Sequence, residues 1–275
     1  MTTVETVERS SHVEPSPSAR WLIPREHGAY AQLVFPLITA VALGKPNGAQ
    51  FFWLTAAIAV FLAHEPLLIL AGERGRRSRV QLATRARSVA VLLLVLAIGT
   101  GVLGWWLAPG AARRAVLVPI ALGAILVPLI VSHREKTLLG ELLASITFSS
   151  VVIPVALAGG ASVGAALVAS AVWCAVFSLA TLTVRATIAR VKRIPAARTS
   201  CYTNLALSLL ALGAAVLLTI TETLPAPAAV GIVPAAVIAA TCSIVEVHTR
   251  HLRTMGWSLV GSNVITLMLL LVGLR

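Results

Sequence analysis

Long apolar runs separated by short polar segments make up the chain from residue 20 to residue 275. Most runs have about the 17–25 residues with which an α-helix crosses the hydrocarbon of a bilayer. They lack the polar face that a helix of a soluble protein turns towards water. The pattern therefore predicts an all-α, polytopic transmembrane bundle. It has about nine spans: Ala29–Leu43, Phe51–Gly72, Val89–Ala108, Ala115–Ser132, Leu142–Gly159, Ala165–Ala189, Tyr202–Thr221, Ala228–Val247 and Trp257–Leu274.

The N-terminal segment and the composition complete this prediction. Residues 1–20 are polar and lack the apolar core of a signal peptide, so we expect a disordered cytoplasmic tail there. Residues 21–275 are expected to form a single transmembrane helical domain in a lipid bilayer. Only 12% of the residues are charged, about half the fraction usual in soluble proteins.

The distribution of basic residues predicts the orientation of the bundle. The formal net charge is +12, from 22 Lys and Arg against ten acids, all of them Glu. With the N-terminus in the cytoplasm, only Lys45, Arg113, Arg114 and Arg275 fall outside. Because cytoplasmic loops carry the excess of Lys and Arg, we expect the N-terminus inside and the C-terminus outside. The basic residues lie in short loops between spans, which argues against nucleic acid as the partner.

Ionisable residues inside an apolar run are the first candidates for function. His64 and Glu65 lie inside the second predicted span, with Glu65 about 10 Å from the cytoplasmic boundary by helix rise. An ionisable group at that depth costs about 2.5–3.5 kcal/mol unless it is paired or hydrated. The two residues form either a buried hydrogen bond between packed helices or a polar cavity entered from the cytoplasm. We favour the cavity, with His64, Glu65 and His27 as candidate catalytic groups.

Charged residues at the predicted membrane boundaries form a second group of candidates. The segment 25–28 either anchors the first span at the interface or brings its charged side chains towards His64. The basic residues before the fifth span are either ordinary cytoplasmic charges or ligands for phosphate. A partly buried Arg and a partly buried Glu in one bundle are expected to pair. The candidate ligand-binding residues are Arg25, Glu26, Arg134, Lys136, Glu141, Arg185 and Glu246.

Two other patterns carry no functional prediction. Gly99, Gly101 and Gly104 match the spacing of a dinucleotide-binding loop, but they lie inside an apolar run with no strand before them. We interpret them as a surface for close helix packing. The three cysteines are isolated and predict neither a disulfide framework nor a metal cluster.

Three segments together resemble the YwiC-like family of bacterial membrane proteins. They are Pro24–Tyr30 (PREHGAY), His64–Pro66 (HEP) and Arg134–Glu141 (REKTLLGE). This resemblance implies a location in the bacterial cytoplasmic membrane.

The nine-span plan, with its polar groups at the cytoplasmic face, also resembles the UbiA-type prenyltransferases. That resemblance implies two Asp-rich motifs that hold Mg²⁺ and a prenyl diphosphate. This chain has no Asp, and the first motif is approached only by His64, Glu65 and Glu73. Under this resemblance, Glu65 and Glu73 would either hold Mg²⁺, a possible cofactor, or act as a base. Alternatively, the fold is retained and the transferase chemistry is lost.

The sequence leaves three functional hypotheses open. The first is an intramembrane enzyme or binder that acts on an isoprenoid or other phosphorylated lipid. The second is a transporter in which the same polar groups line a half-channel. The third is a metal, haem or quinone site built from Glu26, His27, His64 and Glu65. Because almost no charged residue reaches the outer half of the predicted bundle, we favour a cytoplasm-facing pocket over a transport path.

Overall fold

The computed structural model describes Leu22 and residues 27–132, 134 and 136–275. Within these residues the protein is all-helical and contains no strand. The helices are α1 (His27–Leu43), α2 (Gly48–Ala71), α3 (Arg76–Leu107), α4 (Gly110–Ala115), α5 (Leu117–Val131), α6 (Leu138–Ser150), α7 (Val152–Ala158), α8 (Val163–Val191), α9 (Ala197–Ile220), α10 (Ala226–Val230), α11 (Val233–Ile244) and α12 (Leu252–Leu274), with a 3₁₀ turn at Thr249–His251. The tail predicted for residues 1–20 lies outside the described residues.

Eight segments of the described chain are long and apolar enough to cross a membrane. Three of them are interrupted helices, formed by α4 with α5, α6 with α7, and α10 with α11. A ninth, shorter apolar helix covers Gly28–Leu43. These segments follow the order of the nine predicted spans, and the first is the short one, as the sequence indicates. The prediction of a polytopic all-α membrane protein is confirmed, and its apolar helices indicate a lipid bilayer as the environment.

The structure corrects two predicted boundaries. The basic segment predicted as a loop at residues 73–87 is helical from Arg76, so that α3 has 32 residues. Arg, Gln and Leu are good helix formers, and nothing breaks the helix between Gly75 and the apolar run. The predicted span Ala228–Val247 ends earlier, at Ile244, where the backbone of Val245 becomes extended. Glu246 therefore lies in an exposed loop and not at the end of a membrane span.

The core lies around α8, which packs against α6, α7, α9 and α11. Trp173 of α8 is fully buried, stacks on Phe177, and donates a hydrogen bond from Nε1 to Thr39 Oγ1 of α1 at 2.9 Å. Two buried clusters thus connect α1, α2 and α7 to α8, and α8 to α9 and α11. This scaffold fixes the position of α1 between α2 and α6.

Helices α2 and α3 form a hairpin that is packed together more extensively than any other pair of described helices. A Cβ atom at Gly104 would lie 2.4 Å from the indole ring of Trp53. The indole Nε1 donates to the carbonyl oxygen of Gly101 at 3.2 Å. The interpretation of this glycine motif as a packing surface is confirmed at Gly104, whereas a Cβ atom at Gly99 or Gly101 would meet no atom within 4 Å.

The two ends of the bundle differ in charge. We call the end with the turns after α2, α5, α8 and α11 the basic face, and the other end the opposite face. Among the described residues, the basic face carries Arg74, Arg76, Arg77, Arg79, Arg85, Arg87, Arg134, Lys136, Arg185, Arg190, Lys192, Arg193, Arg198, Arg250 and Arg253. The described glutamates at this end are Glu65, Glu73, Glu141 and Glu246. This end is therefore strongly cationic.

Candidate functional site

A buried ion pair lies two helical turns from the end of α2. Arg74 donates from Nε to Glu65 Oε1 at 2.7 Å and from Nη2 to Glu65 Oε2 at 2.5 Å. The side chain of Glu65 is 3% exposed and that of Arg74 is 27% exposed. This two-pronged arrangement is the geometry in which a guanidinium binds a carboxylate most specifically. Both carboxylate oxygens of Glu65 are therefore engaged by one arginine.

The turn after α2 positions Arg74 over the helix end. Gly72 and Gly75 have φ angles of +93° and +89°, which glycine adopts without a steric penalty. Gly72 also donates its backbone N–H to the carbonyl oxygens of Leu68 and Ile69, and so closes the end of α2. These two glycines reverse the chain within a few residues. Arg74, between them, can then reach Glu65, which lies nine positions earlier.

The first turns of α1 lie between the Glu65 pair and helix α6. Tyr30 packs edge-to-face on Phe61 of α2 at a centroid distance of 5.0 Å. Phe61 in turn packs on Phe148 of α6 at 5.8 Å. These aromatic contacts connect the surroundings of Glu65 to α6 through apolar side chains.

A hydrogen bond continues this connection towards Glu141. Gln32 of α1 donates from Nε2 to Ser145 Oγ at 3.3 Å. Ser145 lies one turn after Glu141, and its hydroxyl donates to the Glu141 carbonyl oxygen at 3.0 Å. The start of α1 therefore contacts both α2 and α6, close to the residues that form the two ion pairs.

The second ion pair joins α6 to α8 at the basic face. Arg185 Nη1 donates to Glu141 Oε2 at 2.8 Å and to the carbonyl oxygen of Lys136 at 3.1 Å. The two side chains are 40% and 36% exposed, so this pair is far more accessible than the Glu65 pair. Thr137 caps α6 by accepting the backbone N–H of Gly140. The expectation that partly buried Arg and Glu side chains pair is confirmed for Arg185 and Glu141.

Arg185 retains unused hydrogen-bonding capacity. A guanidinium has five N–H donors, and both interactions of Arg185 with described residues come from Nη1. Within the described chain, its Nε and Nη2 donors have no protein acceptor. These two atoms form the edge that binds phosphate or carboxylate with two parallel hydrogen bonds. Arg134 and Lys136 are both exposed in the adjoining segment. Both belong to the segment whose Lys136 carbonyl oxygen accepts from Arg185.

The other candidates fall into three groups. Arg25, Glu26 and the side chain of His27 lie outside the described residues, so their predicted approach to His64 stays a prediction. His64 and Glu73 are half-buried near Glu65. No group of three or more His, Cys, Asp or Glu among the described residues could hold a metal ion. The roles of Glu65 and Glu73 as Mg²⁺ ligands, and the catalytic roles of His64, Glu65 and His27, remain predictions.

Several polar residues that join helices near the basic face could not be predicted from the charge pattern. Asn204 of α9 is 1% exposed. Its Nδ2 lies within 2.9–3.2 Å of three acceptors: Thr183 Oγ1 of α8, and Ser243 Oγ and the carbonyl oxygen of Ala239 in α11. An Asn inside an apolar run is the signal that identifies it. Arg190 donates to carbonyl oxygens at the end of α11, among them those of Ser243 and Val245. These contacts fix α8, α9 and α11 to one another.

Hydrogen bonds hold the opposite face together where α1, α2 and α7 meet. Lys45 N donates to the Gly159 carbonyl oxygen at 2.8 Å, and Asn47 Nδ2 donates to that of Ala158 at 2.7 Å. Gln50, 2% exposed, donates to the carbonyl oxygens of Ala40 and Val155. These contacts close the opposite face between the end of α1, the start of α2 and α7.

Comparisons with known proteins support the resemblance seen in the sequence. A family model described as YwiC-like protein matches residues 23–157. No curated protein and no solved structure matches the chain. The matched stretch covers α1 to α7 and includes Glu65, Arg74 and Glu141. It ends before α8, which carries Arg185.

Proposed function

We propose that this protein binds a phosphorylated membrane lipid at the basic face. Its residues 23–157 match the model of the YwiC-like family. The phosphate would lie against the Nε and Nη2 donors of Arg185, with Arg134 and Lys136 beside it. The single observation that carries this proposal is the unused edge of Arg185, which Glu141 and the Lys136 carbonyl hold in place through Nη1 alone.

The electrostatics of this end support an anionic ligand. The described arginines and lysines of the basic face far outnumber its four described glutamates. Each basic residue near a membrane surface contributes about 1 kcal/mol of attraction to anionic lipid. The first turn of α6 adds backbone N–H groups and the positive end of a helix dipole. Glu141 opposes this attraction in part, since its carboxylate occupies one nitrogen of Arg185.

The accessibility of the site supports a membrane-embedded ligand that enters from one side. Arg185 and Glu141 are partly exposed, whereas the Glu65 pair is buried. The hydrogen bonds between α1, α2 and α7 close one region of the opposite face, which favours a one-sided binding site over a transport path. By the excess of basic residues, the basic face would be cytoplasmic, with the C-terminus outside.

Binding of matched ligands to purified protein in detergent micelles tests this proposal. The probes are an isoprenyl phosphate, the corresponding isoprenol with the same tail, and a phosphatidate. Wild type should bind both phosphorylated lipids at least tenfold more tightly than the alcohol. The Glu141→Gln/Arg185→Gln double variant, which leaves no unpaired charge, should lose that preference.

Arg114→Gln is the matched control, because Arg114 is an exposed arginine at the opposite face. It should bind like wild type. A preference between the two phosphorylated lipids would identify the tail, isoprenoid or acyl, that the protein selects. Equal binding of alcohol and phosphate by wild type would refute the proposal, and so would an unchanged preference in the double variant.

A further inference from the structure

A polar junction where α8, α9 and α11 meet lies apart from the Arg185 site. Arg185 stands between Thr183 and Thr187 in sequence, but it lies about 200° around α8 from each of them. The junction is formed by Thr183 and Thr187 of α8, Asn204 of α9 and Ser243 of α11, which are at most 8% exposed. Inside a membrane protein a buried polar group has no bulk water to bind. Each donor and acceptor of the junction therefore needs a partner.

The side-chain oxygen of Asn204 is short of a donor. The described group nearest to Asn204 Oδ1 is Thr183 Oγ1, at 3.5 Å. The single hydroxyl hydrogen of Thr183 is already donated to the carbonyl oxygen of Leu179, at 2.7 Å. Exchanging the oxygen and nitrogen of the amide would place Oδ1 against the carbonyl oxygen of Ala239, which Nδ2 now contacts at 3.2 Å. The amide orientation is therefore fixed, and Oδ1 remains an acceptor without a hydrogen.

The hydroxyl group of Thr187 is the second unpaired group of the junction. Thr187 is 3% exposed, and its Oγ1 has no hydrogen-bond partner among the described residues. A threonine inside a helix can donate to the carbonyl oxygen four residues earlier, as Thr183 does. Thr187 does not, so its hydroxyl is not satisfied by α8 itself. A buried hydroxyl without a partner is unfavourable.

These two unpaired groups lie on the same side of α8. Thr187 follows Thr183 by one turn, which places their Cβ atoms about 5–6 Å apart on one helix face, and the Asn204 amide lies against Thr183. Helix α9 runs antiparallel to α8, and one turn from Asn204 towards the basic face it carries Cys201, a small side chain that is 5% exposed. A single small molecule can bridge two oxygens up to about 5.6 Å apart, at about 2.8 Å from each.

The groups around this position restrict the chemistry of such a ligand. Asn204 Oδ1 needs a hydrogen, which an anion cannot supply. A cation is disfavoured by Arg190, one turn after Thr187, whose guanidinium donates to the carbonyl oxygens of Ser243 and Val245 at the end of α11. The ligand must therefore be neutral, small, and able both to donate and to accept. Water has these properties, and buried waters typically satisfy two to four otherwise unpaired polar groups.

We infer that one buried water molecule donates a hydrogen bond to Asn204 Oδ1 and forms a second one with the hydroxyl of Thr187. This water joins α8 to α9 on the basic-face side of the Asn204 contacts. The inference does not depend on lipid binding at Arg185.

Reversible unfolding in micelles tests the inference, because the sign of the effect depends on the water. Thr187→Val replaces the hydroxyl by a methyl group of similar shape. It should raise the equilibrium constant of unfolding about 5- to 10-fold when the hydroxyl is bonded to water. In the Asn204→Leu background, where the water has lost its acceptor, the same change should be neutral or should lower the constant. Thr187→Ser, which keeps the oxygen, should stay within about threefold of wild type.

Thr241→Val is the matched control, because Thr241 is exposed on α11 and its hydroxyl donates to the Val237 carbonyl of its own helix. It should change the constant less than about twofold. A lower constant for Thr187→Val in the wild-type background would show an unpaired hydroxyl and overturn the inference. An equal effect of Thr187→Val with and without Asn204 would overturn it as well.

An experimental density map that shows ordered water gives the direct test. It should contain a peak within hydrogen-bond distance of both Asn204 Oδ1 and Thr187 Oγ1, and the peak should be absent from Thr187→Val. A map that shows other buried waters but none here, or a direct hydrogen bond between Thr187 and Asn204, would contradict the inference.

Discussion

Replacing Arg74 by Gln should destabilise the protein more than replacing its partner Glu65 by Gln. The two hydrogen bonds between them are 2.7 and 2.5 Å long, and Glu65 is only 3% exposed. Removing one member of a buried ion pair leaves an uncompensated charge and costs about 3–5 kcal/mol. We expect Arg74→Gln to lower the free energy of unfolding by this amount, because Glu65 cannot reach water from its position in α2.

The opposite change is expected to cost less. Glu65→Gln keeps an oxygen that accepts a hydrogen bond, and Arg74, at 27% exposure, can reach solvent. We expect a loss of about 1–2 kcal/mol for this variant. The double variant Glu65→Gln/Arg74→Gln removes both charges and should recover most of the loss of Arg74→Gln. The difference between the single and double variants should give a coupling energy of about 2 kcal/mol or more.

Reversible unfolding in mixed micelles, followed by steric trapping or SDS titration, measures these energies. Arg76→Gln, an exposed arginine two residues away in sequence, is the matched control and should cost less than about 0.5 kcal/mol. The argument would be refuted if Arg74→Gln cost no more than the control, or if Glu65→Gln were the more damaging single variant.

Three further predictions concern packing, the buried polar network and orientation. Gly104→Ala should lower the free energy of unfolding by about 1–3 kcal/mol, because its Cβ would meet the Trp53 ring at 2.4 Å. Gly99→Ala on the same helix should be neutral or slightly stabilising. Equal unfolding energies for the two variants would contradict the packing described. Asn204→Leu should lower the free energy of unfolding by about 1–2 kcal/mol, because its contacts to α8 and α11 are lost. The control is Tyr202→Leu, at an exposed position in α9. If Asn204→Leu has no larger effect than this control, the network does not stabilise the bundle. A membrane-impermeant maleimide applied to intact spheroplasts should label Thr223→Cys and spare Lys192→Cys in a cysteine-free background, and the reverse pattern would invert the orientation.

The fold could be predicted from the sequence because lipid leaves few alternatives to helices. A run such as Val89–Leu107 has no charged side chain, and the backbone must form its own hydrogen bonds in lipid. The helical extension of α3 through Arg76–Arg87 could not be predicted this way. Hydropathy reports where the chain meets lipid and does not report where a helix ends.

The candidate site was only partly predictable. The sequence indicates that Arg185 pairs with a glutamate at similar depth, but it does not distinguish Glu141 from Glu246 as the partner. Arg74 is one of six arginines within residues 74–87, and nothing in the sequence distinguishes it from its neighbours. Only the turn made by Gly72 and Gly75 selects it as the partner of Glu65. Tertiary geometry of this kind depends on backbone conformation, which a charge pattern does not contain.

The central claim, that Arg185 holds the phosphate of a membrane lipid, is tested most directly by identifying what copurifies with the protein. Wild type and the Glu141→Gln/Arg185→Gln variant would be extracted gently from the same membranes and compared by native mass spectrometry with lipid sequencing. We predict a phosphorylated lipid bound to wild type in about one copy per chain and absent from the variant, with Arg114→Gln retaining it. The same phosphorylated lipid in equal amount on both proteins, or only neutral lipid on wild type, would contradict the claim.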